Sequence, residues 1–137
     1  MLQVINTAAL TTPVAIPAGG GVVPFDTTVY STNGAIELKD NAILLKTPAM
    51  YHTNCEVILK NAGDAAATVS LQALANGKTV NGALSTETIA ASATRTIVLD
   101  WAERVIPAES GTASISWAVS GGAVSLSAAR VQAWRMV

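Results

Sequence analysis

Residues 73–83 read ALANGKTVNGA and contain two Asn-Gly pairs, Asn76-Gly77 and Asn81-Gly82. Asn and Gly accept the positive φ angles of a two-residue type I′ turn, so an Asn-Gly pair is a strong hairpin signal. We therefore predict that Asn76-Gly77 closes a hairpin between a strand ending at Ala75 and a strand at 78–80. The three residues between the pairs are too few for a second pair of strands. Asn81-Gly82 is accordingly predicted to be a bulge or a corner where the chain crosses toward the next sheet.

Outside this stretch, apolar and polar side chains alternate with the period of a β-strand. Cys55, Val57 and Leu59 occupy alternate positions, as do Val69 and Leu71, and clusters of Gly, Pro, Asn and Ser interrupt such runs about every ten residues. This pattern is typical of an all-β antiparallel sandwich or barrel. The predicted strands are 2–6, 22–25, 28–30, 35–38, 42–46, 50–59, 66–75, 78–80, 85–90, 94–101, 112–119, 123–126 and 129–136.

The composition indicates a single domain that associates with itself. A chain of 137 residues fits one core. Its hydrophobic fraction is 50%, whereas its charged fraction is 12%, about half of the ~25% that is usual for soluble domains. Such a surface is poorly solvated, and burying part of it against other copies of the chain is the simplest remedy.

Several classes of partner are disfavoured by the sequence. The net charge is −1 and the basic residues are scattered, so no basic stripe is available for nucleic acid. No apolar run reaches the roughly 18 residues of a membrane helix, and the first residues do not read as a signal peptide. We expect synthesis in the cytoplasm, with no nucleic-acid or membrane partner.

Five segments, in this order, resemble the C1q/TNF-like jelly-roll domains of small phage virion proteins and of bacterial collagen-like filament tips. They are GGGVVPF (19–25), ILLKTP (43–48), MYHTNCEVILKNAG (50–63), VSLQALANGKTVNGA (69–83) and AARVQAWRMV (128–137). One departure is Ala49-Met50, where the family has Gly before the Tyr. The resemblance implies a single-domain antiparallel jelly-roll sandwich of about ten strands over 19–137, with 1–18 as an N-terminal strand or arm. It also implies a homotrimer packed around the inner sheet.

The alternation within two strands identifies candidate interface residues. Tyr51, Cys55 and Leu59 share one face of the strand at 50–59, while the opposite face mixes polar and apolar side chains. The last strand likewise turns a Trp and a Met away from its Val and Ala side, and these large side chains need cover. Because the resemblance places both strands on the inner sheet, the predicted trimer interface comprises His52, Asn54, Glu56, Gln132, Trp134 and Met136.

Catalytic, cofactor and metal sites are not predicted. His52 is the only histidine and Cys55 the only cysteine. Three positions apart on a strand, they point to opposite faces, so they cannot form a nucleophile and base pair. A structural role for His52 is preferred, and an interface or pH-sensing role stays open. The acidic residues form no calcium-loop pattern, although a metal bound between loops or on the trimer axis stays an alternative.

The sequence therefore predicts a non-enzymatic virion structural protein, a trimeric jelly roll that decorates a phage capsid or forms the head of a fibre. Its expected partners are two further copies and a virion protein of the capsid or fibre base. The alternative is a carbohydrate- or receptor-binding adhesion module on a virion or bacterial surface filament. In that case Tyr30 and Trp101 are the candidate ligand surface and a glycan is the partner. For Trp101, closing the edge of the sandwich is the preferred role.

Overall fold

The computed structural model describes residues 4–16, 19–31, 36–46, 49–105, 113–121 and 124–136. Within these ranges the chain forms twelve strands that pair in antiparallel fashion. The strands are β1 (Val4–Leu10), β2 (Val14–Ala15), β3 (Gly21–Val22), β4 (Thr27–Ser31), β5 (Ile36–Lys39), β6 (Ala42–Leu45), β7 (Ala49–Asn61), β8 (Ala67–Ala75), β9 (Lys78–Ile89), β10 (Thr94–Val105), β11 (Ala113–Ser120) and β12 (Val124–Met136).

The strands form two six-stranded sheets. The first sheet has the order β10-β7-β12-β1-β4, and β2 pairs with β12 beside this path. The second sheet has the order β5-β6-β11-β8-β9, and β3 pairs with β11. Contacts of β10 with β9 on one side, and of β1 and β4 with β5 on the other, bring the two sheets together as a sandwich. The prediction of an all-β antiparallel sandwich is confirmed.

The core lies between the two sheets and follows the predicted alternation. In β7 the side chains of Tyr51, Cys55 and Leu59 are buried, whereas their neighbours along the strand are partly or fully exposed. The second sheet contributes Ile43, Leu71 and others to the same apolar cluster. Burial of such aliphatic and aromatic side chains, at roughly 25 cal/mol per Å² of apolar surface, is the main stabilising contribution to the fold.

The hairpin predicted at Asn76-Gly77 is present. Ala75 and Lys78 pair across a two-residue loop whose φ angles are +51° at Asn76 and +79° at Gly77, the signs that a type I′ turn requires. The backbone N–H of Asn76 donates to the Ser114 carbonyl at 2.7 Å, and the side-chain Oδ1 of Asn76 accepts from the Ser114 N–H at 2.9 Å. The turn is thereby fixed to β11.

Asn81-Gly82 is a bulge and not a corner. β9 runs without interruption from Lys78 to Ile89 in one sheet, so the predicted separate strands 78–80 and 85–90 are a single strand. The register shifts on β8 between Gln72 and Leu74, and Gly82 has a φ of +83°. The Gln72 Nε2 group donates to the carbonyls of Val80 and Ala83, both at 3.0 Å. This side chain satisfies carbonyl groups that the bulge removes from the ladder.

β12 is likewise one strand where two, 123–126 and 129–136, were predicted. A register shift between Leu126 and Ala128 lets the buried side switch from Leu126 to Ala129 and Val131. A bulge inserts one residue and so reverses which positions face the core. The apparent break in the sequence pattern is this reversal of parity.

The N-terminal strand β1 lies inside the first sheet, between β12 and β4. Asp26 fixes the chain just after the C-terminal end of β1. The Asp26 carboxylate accepts hydrogen bonds from the Thr11 N–H at 3.2 Å and from the Thr27 hydroxyl at 2.7 Å. The hydrogen bond from Thr27, with those from Thr11, lowers the pKa of Asp26. The two-residue strand β2 was not predicted. The division of the chain at residue 18 stays a prediction.

Two loops at one end of the sandwich are joined by the buried side chain of Asn61. Its Nδ2 group donates to the carbonyls of Ala65 at 2.8 Å and Ile89 at 3.1 Å, and its Oδ1 accepts from the Gly63 N–H at 3.0 Å. A buried amide whose donors and acceptor are satisfied in this way orders the segments that supply its partners. Asn61 therefore positions the β7–β8 loop against the end of β9.

Candidate functional site

The strands β7 and β12 lie side by side in the first sheet and join most of the predicted interface residues into one surface. In their register His52 faces Trp134, and Asn54 faces Gln132. We call this surface the β7–β12 face. It consists of the outward-facing residues Met50, His52, Asn54, Glu56, Ile58, Arg130, Gln132 and Trp134.

An aromatic stack lies on the β7–β12 face. The rings of His52 and Trp134 are stacked, with centroids 4.4 Å apart and an interplanar angle of 23°. From the neighbouring strand β10, the Asp100 carboxylate forms a hydrogen bond to His52 Nε2. The imidazole is thus held on one side by an aromatic ring and at its edge by a carboxylate, which fixes its orientation.

A polar hollow adjoins the stack. Asn54, Glu56, Arg130 and Gln132 line it, and its volume is 260 Å³. Glu56 and Arg130 lie directly opposite each other on β7 and β12 and both are exposed. Within the described ranges, neither side chain forms an ion pair or a hydrogen bond.

Exposed apolar side chains complete the mixed character of this surface. Met50 is 42% exposed, and Val98, which pairs with Glu56 from β10, is 49% exposed. By backbone register Met136 lies opposite Met50, but its side chain is outside the part that the structure describes. Whether these residues form a trimer interface stays a prediction.

Sequence reasoning missed two members of this arrangement, Asp100 and Arg130. Asp100 directly precedes Trp101 in the sequence, and no local pattern there relates it to His52. Its contact with His52 depends on the register between β7 and β10, which pairs Asp100 with Asn54. Arg130 shares the parity of Gln132 and Trp134 on β12, so the alternation of the last strand was a signal that could have identified it.

The outward face of the second sheet has a different chemistry. There the hydroxyls of Ser70 and Thr86 lie 3.1 Å apart across β8 and β9, and those of Thr68 and Thr88 lie 3.4 Å apart. Small hydroxyl side chains are readily solvated and need no further cover. The part of this outward face that carries the hydroxyl pairs is therefore suited to contact with water.

Cys55 and His52 point to opposite faces of β7, as predicted. Cys55 is fully buried in the core, and burial raises the pKa of its thiol, so the thiolate needed for nucleophilic attack is disfavoured. In the described part of the chain, no three or more His, Cys, Asp or Glu side chains are grouped to hold a metal ion. Nor does that part include a helix of the length and hydrophobicity that crossing a membrane demands.

The candidate ligand residues Tyr30 and Trp101 have side chains outside the described part of the structure. Their backbones pair with Thr7 in β1 and with Thr53 in β7, respectively, which places them on different strands of the first sheet. The glycan- or receptor-binding alternative stays a prediction.

Comparison with known proteins identifies the fold. No protein-family model and no curated protein sequence matches the chain. Among solved structures, the chain is similar to the PRD1 vertex protein P5, with a TM-score of 0.66, 13% identity and coverage of 100% of this chain and 99% of that one. The globular domain of zebrafish complement 1qA has a TM-score of 0.65 at 7% identity, over 98% of both chains. Murine APRIL has a TM-score of 0.64 at 8% identity, over 97% of this chain and 98% of that one.

These similarities extend over nearly the whole of each chain, so the sandwich is a C1q/TNF-like jelly roll. The fold expected from the sequence is confirmed, with twelve strands among the described residues in place of about ten. At identities of 7–13%, the likeness concerns the fold alone, because one fold can carry many unrelated functions.

Proposed function

We propose that this chain is a non-enzymatic structural subunit of a phage virion that works as a homotrimer, with the β7–β12 face buried between copies. In this role it decorates the capsid or forms the head of a fibre. The observation that carries the proposal is the His52–Trp134 stack, which places a large aromatic side chain on an outward sheet surface beside the exposed Met50.

The energetics of that surface favour burial against another copy. Aromatic side chains contribute much of the binding energy at protein interfaces when water is excluded from them. His52 and Asp100 already satisfy part of each other's hydrogen-bonding capacity, which lowers the cost of removing them from water. The charged fraction of 12% also limits how much of the surface can be solvated well in a single copy.

A trimer built in this way would present the second sheet outward. The hydroxyl pairs on β8 and β9 would then face the solvent in three identical copies. Identical outward faces allow weak contacts to a common target to add by avidity, provided that the spacing matches. This is how a non-enzymatic subunit would act on a virion, through assembly and surface presentation.

The virion setting is supported by the full-length similarity of the fold to the PRD1 vertex protein P5. The location of the chain on phage particles tests this virion setting. Antibodies against the recombinant chain, visualised with gold particles on purified phage, should label the capsid or a fibre. Unlabelled particles from lysates in which the chain is abundant would contradict the virion role and leave the self-association to be judged separately.

A further inference from the structure

Elsewhere in the described part of the chain, neighbouring side chains of opposite charge form ion pairs. Glu87 and Arg95 form an ion pair at 3.2 Å, and the carboxylate of Glu37 contacts the Lys46 ammonium. Glu56 and Arg130 are direct cross-strand neighbours, which is a favourable position for a pair. They nevertheless make no ion pair with any residue that the structure describes.

We propose that Glu56 and Arg130 form their ion pairs with other copies of the chain, so that Arg130 of one copy pairs with the partner subunit's Glu56. This inference rests on the proposed function, since it concerns the surface that trimerisation would bury. Taking an unpaired charge out of water is costly, whereas a charge that meets an opposite one and further hydrogen-bonding groups is compensated. Burial of the β7–β12 face therefore requires partners for both residues.

The polar hollow provides the surroundings for such a pair. Its volume is 260 Å³, and its walls include the amides of Asn54 and Gln132 beside the two charges. An amide oxygen can accept from a guanidinium group, and an amide nitrogen can donate to a carboxylate. A side chain that enters from another copy would thus find both a counter-charge and hydrogen-bonding groups.

Threefold symmetry makes this pairing complete. Each copy supplies one carboxylate and one guanidinium, and a head-to-tail interface repeats the same contact around the ring until it closes. Three copies give three pairs with no charge left over. Pairing within each copy would satisfy the same charges but would give the residues no part in holding copies together.

The test measures self-association by light scattering after charge reversal at each position. We expect E56K and R130E each to weaken the association at least about tenfold, because like charges then meet across the interface. An equimolar mixture of the two variants should regain trimers, since a mixed trimer brings opposite charges together at two of its three contacts. E87K and R95E form the matched control, and neither should change the mass. Both reversed residues are exposed, so folding should persist, and circular dichroism verifies this.

The outcomes separate this inference from the proposed function. A wild-type chain that is monomeric throughout overturns both. A trimeric wild type whose mass is unchanged by E56K and R130E overturns only the inference. Variants that dissociate and fail to associate on mixing also overturn it, because pairing between copies requires that opposite charges meet again in the mixed trimer. Should either variant unfold, E56Q and R130Q serve instead, and weaker association in both is then required.

Discussion

Trp134 lies directly opposite His52 on the neighbouring strand, and the two rings stack with centroids 4.4 Å apart. Asp100 binds the same imidazole from the third strand. The stack therefore links β12, β7 and β10 on the outward side of the first sheet. An apolar ring so placed gains from cover by another molecule, which is the physical basis of the proposed assembly.

Thr53 is buried, and its hydroxyl has no hydrogen-bond partner among the described residues. A buried polar group without a partner costs free energy, so Thr53→Val should raise the free energy of unfolding by about 1 kcal/mol. Urea denaturation measures the change, and Thr79→Val, at an exposed position, is the control with little expected effect. A loss of stability in Thr53→Val would indicate that the hydroxyl is hydrogen-bonded after all.

Asn61→Ala should lower the free energy of unfolding by about 2–4 kcal/mol, because it leaves one buried and several partly buried backbone groups without their partner. The exposed Asn81, replaced by Ala, is the matched control and should cost much less. Hydrogen exchange gives a local readout, since Ser92 N–H donates to the Gly63 carbonyl across the loops that Asn61 joins. Unchanged protection of Ser92 in Asn61→Ala would contradict the role assigned to Asn61.

Gly77 has a φ of +79°, and a Cβ placed there would meet no atom within 4 Å. The cost of Gly77→Ala is therefore conformational, and we expect a loss of about 1–2 kcal/mol in the free energy of unfolding. Gly19 is also open around its Cα but has no positive φ, so Gly19→Ala should be neutral. Equal effects of the two substitutions in thermal denaturation would argue against the type I′ turn.

The buried thiol of Cys55 predicts a loss of stability at alkaline pH. Its pKa is raised in the folded chain, mainly by burial, whereas in the unfolded chain it is about 8.5. The unfolded state therefore releases a proton that the folded state keeps, and stability falls as the pH rises above the unfolded pKa. The expected slope is about 1.4 kcal/mol per pH unit.

Denaturation of the wild type and of Cys55→Ala between pH 8 and pH 10 isolates this contribution, because other titrating groups are common to both proteins. The wild type should lose stability more steeply. A thiol reagent should modify Cys55 rapidly only after unfolding. Identical slopes together with rapid modification of the native protein would show that the thiol is accessible.

The sequence was sufficient for features that depend on local pattern. Alternation assigned Tyr51, Cys55 and Leu59 to the core, as observed, because a strand has a period of two wherever its pairing is regular. Asn76-Gly77 gave the hairpin because the turn chemistry is local. Asp40 and Asn41, which form the β5–β6 turn with φ angles of +50° and +64°, carried a weaker form of the same signal.

Features that depend on pairing between distant segments could not be read in this way. The bulge in β12 reverses which alternate positions face the core, so the sequence pattern there resembles a gap between two strands. The bulge in β9 likewise made one continuous strand look like two. The contact between His52 and Asp100 requires the register of β7 with β10, which no local pattern specifies. The hydrogen bonds of the Asn61 side chain likewise depend on where β9 ends relative to β7.

The mass in solution tests the central claim most directly. Analytical ultracentrifugation of the wild type over a range of micromolar concentrations should give three times the chain mass of 14.0 kDa. Trp134→Ala should raise the protein concentration needed for trimer formation at least about tenfold, since aromatic residues at interface centres contribute around 2 kcal/mol or more to binding. Leu84→Ala, which removes an apolar side chain that is 53% exposed on β9 of the second sheet, should leave the mass unchanged. A wild type that sediments as a monomer at every concentration, or a Trp134→Ala variant that remains fully trimeric, would contradict burial of the β7–β12 face.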